Sequence, residues 1–265
     1  MGDFVGSASA RPPELAERLL PTWAEIRPED IYAGLALPEG PTDRPYVVLN
    51  MVATVDGQVA IGGRASGIGS RLDRALMRRI RAACDAVMVG AATLRAERVD
   101  PSVPDELAEA RAARGLPPRP MAVAISATLD LDPSWRFFRH GPDRTLVLTT
   151  TTAPRDRAEA LAGSATVERI GGDSVDLVEA LARLRGRYGV ERLVVEGGPT
   201  LNRQLVALGL VDELFLTLAP KLAGGGGPSI LGGGGPAEKV MAELELASLH
   251  RCAGELFFRY RVAHG

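Results

Sequence analysis

The sequence predicts an α/β fold, with a mostly parallel central sheet, helices on both faces and antiparallel strands at the C-terminal edge. Three observations predict it. Apolar strand-like runs alternate with helical segments from residue 46 to about 210. Several of those runs, such as 46–53 and 86–90, are almost unbroken, as strands buried on both faces of a parallel sheet are. The β-rich stretches LELASLHRC and ELFFRYRVA flank Ala253-Gly254, the pattern of an antiparallel hairpin.

Taken in order, residues 1–44 read as an N-terminal extension and 45–265 as the main domain. Residues 1–10, mostly Gly, Ser and Ala, are expected to be disordered. The segment 13–26 predicts a short helix interrupted at Pro21, with Leu15, Leu19, Trp23 and Ile26 on one face. A Pro/Gly-rich linker spans 34–45. The first strand, 46–54, leads into a loop (57–69) with five glycines, which reads as a mobile lid. Ser70 is placed to cap a helix running to about Ala83, with Leu72, Leu76 and Ile80 on its apolar face. Further strands are expected at 86–90, 120–125, 145–150, 165–170, 192–196 and 212–220. Further helices are expected at 105–114, 155–162, 175–188 and 200–208, with a helical turn beginning at or capped by Thr93. The tract 224–235 is a flexible connection.

Composition narrows the function. With 31 basic and 33 acidic side chains the formal net charge is −2, which gives no support for binding nucleic acid or an anionic membrane. No apolar run reaches ten residues, far short of a membrane span, and the N-terminus lacks a signal pattern, so a cytoplasmic protein is expected. The 2 cysteines read as reduced buried thiols, and the 3 histidines show no ligand spacing, so no metal site is expected.

The candidate chemistry sits at strand ends, where open α/β sheets bind ligands. Asn50 is a polar amide inside a buried strand, and Asp56 a carboxylate at that strand's end before Gly57. An Asp-Gly turn, with Asp56 capping backbone, is the ordinary alternative. Glu196 likewise ends an apolar run, and the two carboxylates would frame one crevice if their strands are neighbours. Glu196 can hold the amino edge of a pyrimidine or pterin, relay a proton, or simply pair with Arg192 or Arg203. Gly197-Gly198-Pro199 before a helix lets backbone approach a phosphate, although the full dinucleotide fingerprint is absent. Gly90 with the following AATL, and Thr149–Thr152 with Arg155, are two further strand ends suited to anions. From the arginine-rich segment 71–81, one or two side chains can clamp a substrate phosphate, the rest being solvated charges.

The ordered motifs NMVATVDGQVA, RRIRAACDAVMVGAATLRAE and VVEGGPTLNRQLVALGLVDELFLTLAPKLAGGG resemble the reductase domain of riboflavin biosynthesis, over about residues 45–262. The resemblance implies a dihydrofolate reductase-like fold, a homodimer to which 212–220 contributes, and NADPH as cofactor. It implies reduction of the ribosylamino group of a pyrimidine phosphate to a ribitylamino group. It places Ala53, Ile61 and Gly62 beside the nicotinamide. It puts Gly90, Thr93, Gly197, Gly198, Pro199, Thr200 and Leu201 along the cofactor, and Thr149 and Thr150 near its 2′-phosphate. Asn50 falls at the reacting centre, Asp56 belongs to the Asp-Gly signature, and Glu196 would read the pyrimidine. Arg74, Arg81 and Ser66 would meet the substrate. The deaminase that bacterial relatives usually carry has no signature here. Two departures stand out. RAERVDPSVPDEL has Glu97 for the family's first Asp and lacks its closing arginine, and SGIGSR lacks the usual Trp-Ile-Thr/Ser pattern. A dihydrofolate or pterin reductase on the same scaffold, and a non-catalytic NADPH-binding protein, are the competing expectations.

Overall fold

The computed structural model describes residues 15–232 and 241–263. The strands are β1 (Ala16–Leu20), β2 (Ala24–Ile26), β3 (Tyr46–Thr54), β4 (Ala86–Gly90), β5 (Met121–Ile125) and β6 (Thr145–Thr149). They continue with β7 (Thr166–Arg169), β8 (Arg192–Val195), β9 (Glu213–Ala219), β10 (Leu244–Cys252) and β11 (Glu255–Val262). The α-helices are α1 (Arg71–Ala83), α2 (Ala91–Glu97), α3 (Asp105–Ala112), α4 (Arg155–Leu161), α5 (Leu177–Gly186) and α6 (Pro199–Ala207).

All the strands join one 11-stranded sheet in the order β2-β1-β10-β11-β9-β3-β8-β4-β5-β6-β7. From β9 through β7 every neighbouring pair is parallel, and from β9 through β2 every pair is antiparallel. The expected α/β architecture is therefore present, with the C-terminal hairpin on the antiparallel side. β8 inserts between β3 and β4, so the chain changes direction across the sheet there. That switch point opens a crevice beyond the strands' carboxyl ends.

The pleat of β3 sorts its side chains between two cores. Val47 and Leu49 face one core with Leu181 and Leu184 of α5 and Leu201 and Leu205 of α6. Val48 faces the other, with Ile80 of α1, Leu94 of α2 and Leu161 of α4. The even face of β3, continuing to Asn50 and Val52, thus looks toward α1.

One expectation changes. Residues 15–26 do not form a helix: β1 and β2 pair with each other and β1 pairs with β10, and 13–14 lie outside the described residues. Leu15 and Trp23 are 58% and 65% exposed, so the helical stripe they suggested is not a buried face. Helix propensity is a weak prior, and pairing with the otherwise open edge of β10 satisfies a row of backbone groups that a helix would leave bare. The stretch 212–220 forms β9, as its composition predicts, with β3 and β11 on its two edges. The expectations for residues 1–10 and for 233–235 lie outside the described residues. Cys84 and Cys252 are both buried.

Candidate active site

The switch-point crevice holds a cleft of about 450 Å³. β3 lends it Asn50, Met51 and Val52, α1 lends Asp73, Arg74, Arg78 and Arg81, and the glycine-bearing loop lends Ser66 and Gly69. Thr93 and Glu97 of α2 and Glu196, just past β8, complete the wall. Six of the residues singled out from sequence therefore meet: Asn50, Ser66, Arg74, Arg81, Thr93 and Glu196.

β3 and β8 run parallel with Leu49 opposite Val195, so Asn50 and Glu196 follow side by side. Glu196 is not paired with Arg192 or Arg203. Its two oxygens accept from Nε and Nη2 of Arg81, each at 2.6 Å. Both side chains are almost fully buried, at 4% exposure for Arg81 and 8% for Glu196. Arg81 also donates through Nη1 to the Asp100 carbonyl at 2.6 Å. Burial works against the guanidinium's charge, but Glu196 outweighs it and Arg81 holds its proton more tightly than an ordinary arginine. The pair forms a rigid floor, so substrate recognition by either group must coexist with this clamp.

α1 starts where the sequence predicts. The Ser70 hydroxyl accepts from the amides of Leu72 and Asp73 at 3.0 and 3.2 Å, and donates to Glu255 of β11 at 2.5 Å. This fixes the first turn of α1 against the sheet. Asp73, in that turn, is the residue the sequence reading missed. Its carboxyl is pushed up to about 6, first by burial and then by Glu255 and Glu196, while the neighbouring Thr217 hydroxyl and Arg74 pull the other way. A signal was present: Asp73 sits three and seven residues before Leu76 and Ile80, so it interrupts their apolar stripe. A carboxylate in a helix's first turn also reads as an ordinary dipole partner, which hides it.

Gly90 caps α2 and donates its amide to the Gly197 carbonyl at 2.8 Å. Thr93 lies in the first turn of α2 with its hydroxyl against Gly198. A side chain at Gly198 would meet that hydroxyl at 2.7 Å, so the glycine is needed for the close approach of α2 to the β8–α6 turn. α6 then begins at Pro199 with no side-chain cap at Gly198. Its first amides, on exposed Thr200 and buried Leu201, have no side-chain cap from Gly198. This turn fits an anionic group such as a cofactor pyrophosphate.

Other predicted residues fall elsewhere. Asp56 does not share the crevice with Glu196. It lies in the turn that follows β3, outside the cleft lining. It accepts from the Thr54 hydroxyl at 2.6 Å and the Gly224 amide at 2.7 Å, which lowers its carboxyl to about 2. Asp56 is thus a tether joining the end of β3 to the 223–224 turn, the alternative its Asp-Gly context allowed. Ala53 is buried on the odd face of β3, while Ile61 and Gly62 are exposed in a turn outside the cleft lining. Thr149 and Thr150 are buried, and their hydroxyls donate to the carbonyls of Ser126 and Ala127 at 2.6 and 3.2 Å. Those bonds commit the two hydroxyl protons to backbone acceptors after β5.

The glycine-bearing loop is anchored at several points rather than free. The Ala65 amide donates to Glu97 at 2.6 Å, and Lys221 donates to the carbonyls of Gly67 and Ile68 at 2.6 and 2.7 Å. The departure from the family pattern at Glu97 therefore has a structural use. Among the described residues no cluster suited to a metal ion occurs, and no helix is long and apolar enough to cross a membrane.

The 2,5-diamino-6-ribosylamino-4(3H)-pyrimidinone 5′-phosphate reductase of Methanothermobacter thermautotrophicus is 35% identical over 182 residues, covering 69% of this chain and 81% of that protein. Riboflavin biosynthesis protein RibD of Escherichia coli is 30% identical over 190 residues, covering 69% of this chain and 50% of that longer protein. Among solved structures, a pyrimidine reductase-like protein from Corynebacterium diphtheriae superposes with a TM-score of 0.78 at 26% identity, over 91% of this chain and 100% of that one. Residues 45–258 match the RibD C-terminal domain family. The chain belongs to that family, the reductases of riboflavin biosynthesis.

Proposed function

We propose that the chain is an NADPH-dependent reductase that converts the ribosylamino group of a pyrimidine 5′-phosphate to a ribitylamino group. The observation that supports it most is the meeting, in one cleft, of Asn50, the Glu196–Arg81 floor and the exposed guanidinium groups of Arg74 and Arg78. NADPH, when bound, supplies the hydride. The residues that would hold it are Thr93 and the turn Gly197–Leu201, with the uncapped amides of α6 toward the pyrophosphate. Gly90 supports that turn from β4.

The protein's own work is positioning and electrostatics. Asn50 offers an amide donor and acceptor at the open-chain sugar carbon without introducing a charge. The buried ion pair keeps the cleft floor fixed while a hydride acceptor is aligned above it. Arg74 and Arg78, one turn apart on α1, line the same cleft as Ser66 and suit the substrate phosphate. A homodimer in solution is part of the proposal.

The test is loss of NADPH absorbance on adding the pyrimidine ribosylamine phosphate, in wild type and in Asn50→Ala. Turnover by wild type and a loss of about a hundredfold in kcat for the variant, with unchanged thermal unfolding, support the reading. Wild-type turnover in Asn50→Ala would remove Asn50 from the reacting centre.

A further inference from the structure

Four acidic residues line the cleft, Asp73, Glu97, Asp100 and Glu196. Glu97 accepts from the Ala65 amide and Asp100 is paired with Arg139. Glu196 receives both prongs of Arg81. Asp73 makes no ion pair among the described residues, although it lines the same cleft. It stands beside Thr217, which is level with the cleft residue Val52 in the β3–β9 pairing. Gly69 is what admits it: a side chain there would reach within 2.1 Å of the Asp73 Oδ2. Gly69 belongs to SGIGSR, the segment where the family's Trp-Ile-Thr/Ser pattern is missing.

We infer that Asp73 is the specificity-determining residue of the cleft, reading the edge of a ring that carries a 2-amino group beside a protonated ring nitrogen. An ionised carboxylate only accepts hydrogen bonds, and its two oxygens match two parallel N–H donors. A 2-amino-4-oxopyrimidine presents that pair, through its exocyclic amine and N3–H. A 2,4-dioxopyrimidine presents a carbonyl oxygen in place of the amine, so oxygen would face oxygen in a partly buried site. Leaving such polar groups unmatched carries a large discrimination. The assignment rests on the reductase reading of the cleft and sharpens it. The substrate keeps its 2-amino group when it is reduced, so any deamination must follow rather than precede this step. The same edge occurs on a reduced pterin, and the chemistry at Asp73 alone does not separate the two sources.

The experiment compares wild type with Asp73→Asn and Asp73→Ala. Asparagine would turn one acceptor into a donor and match the dioxo edge. Turnover is measured with 2,5-diamino-6-ribosylamino-4(3H)-pyrimidinone 5′-phosphate, with 5-amino-6-(5-phosphoribosylamino)uracil and with dihydrofolate. Binding of 2,6-diaminopyrimidin-4-one and of 6-aminouracil is measured in parallel by calorimetry, which needs no turnover. Wild type should prefer the 2-amino ring by about a hundredfold or more, Asp73→Asn should reverse or abolish that preference, and Asp73→Ala should lose it without reversal. Turnover of the ribosyl phosphate identifies the pyrimidine as the source, and turnover of dihydrofolate alone identifies the pterin. Equal ring preference in wild type and Asp73→Asn, by binding as well as turnover, would overturn the inference. Absence of turnover with a preserved switch in ring binding would instead overturn the proposed reaction and leave Asp73's role standing.

Discussion

Arg81 and Glu196 close on each other at 2.6 Å through both prongs of the guanidinium, from α1 to the end of β8, with almost no exposure to water. Each charge is tolerable there only because of the other. Removing one leaves the other buried and unpaired, which costs about 3–5 kcal/mol. Glu196→Ala and Arg81→Ala should therefore unfold at markedly lower temperature, and any loss of turnover in them would be partly a loss of fold. The double change Arg81→Met with Glu196→Leu should be less destabilised than either single one. Additive losses in the double variant, measured by denaturant unfolding, would show that the pair is not coupled.

Asp73 stores a cost that function would explain. The charged groups around it are Arg74 on its own helix, Glu255 on β11, and Glu196 with its partner Arg81. Its folded-state value is raised from 3.8 to about 6, so the folded protein holds this proton to higher pH than the unfolded chain does. Stability contributed by the protonated form is present below 3.8 and is lost as pH rises toward about 6. Asp73→Asn removes that dependence. At neutral pH it should be more stable than wild type by on the order of 1–2 kcal/mol, after allowance for partial exposure. Unfolding curves at pH 5 and pH 7.5 check it, and a less stable Asp73→Asn at the higher pH would contradict the assignment.

Gly198→Ala should force apart α2 and the turn before α6, because the new methyl would sit 2.7 Å from the Thr93 hydroxyl. The expected cost is about 1–3 kcal/mol in stability and about a tenfold or greater weakening of NADPH binding. Adding Thr93→Ala removes the obstructing oxygen and should restore a large part of the stability. No recovery in the double variant would place the clash elsewhere.

Arg74 and Arg78 serve the phosphate in this account. Replacing either with Ala should raise KM for the phosphorylated substrate by about tenfold while leaving kcat close to wild type. The dephosphorylated substrate should respond little. An equal effect on both substrates would mean that these arginines do not meet the phosphate.

The fold was legible because its signals are local and repeated. Val47, Val48 and Leu49 form an unbroken apolar run, and Ser70 followed by Leu72, Leu76 and Ile80 is a capped amphipathic helix. The segment 16–26 was not legible, since its strands form only by pairing with β10, more than two hundred residues away in sequence. For the site, the position of Asn50 could be read from a polar break in a strand. The partner of Glu196 could not, because Arg81 looks like one of several surface arginines until α1 is laid over β8. Thr149 and Thr150 carry a related ambiguity: a threonine at a strand end can serve a ligand or a neighbouring carbonyl, and the fold sets their hydroxyls against the carbonyls of Ser126 and Ala127. Asp56 held to its local chemistry, a turn-forming carboxylate, rather than to the crevice.

The most direct measurement is NADPH oxidation by the wild-type chain with 2,5-diamino-6-ribosylamino-4(3H)-pyrimidinone 5′-phosphate, beside a dihydrofolate control, with the ribitylamino product identified by mass. The account predicts stoichiometric NADPH loss and a product two hydrogens heavier, at a rate well above that with dihydrofolate. NADPH that binds but is not oxidised by the pyrimidine phosphate would contradict it.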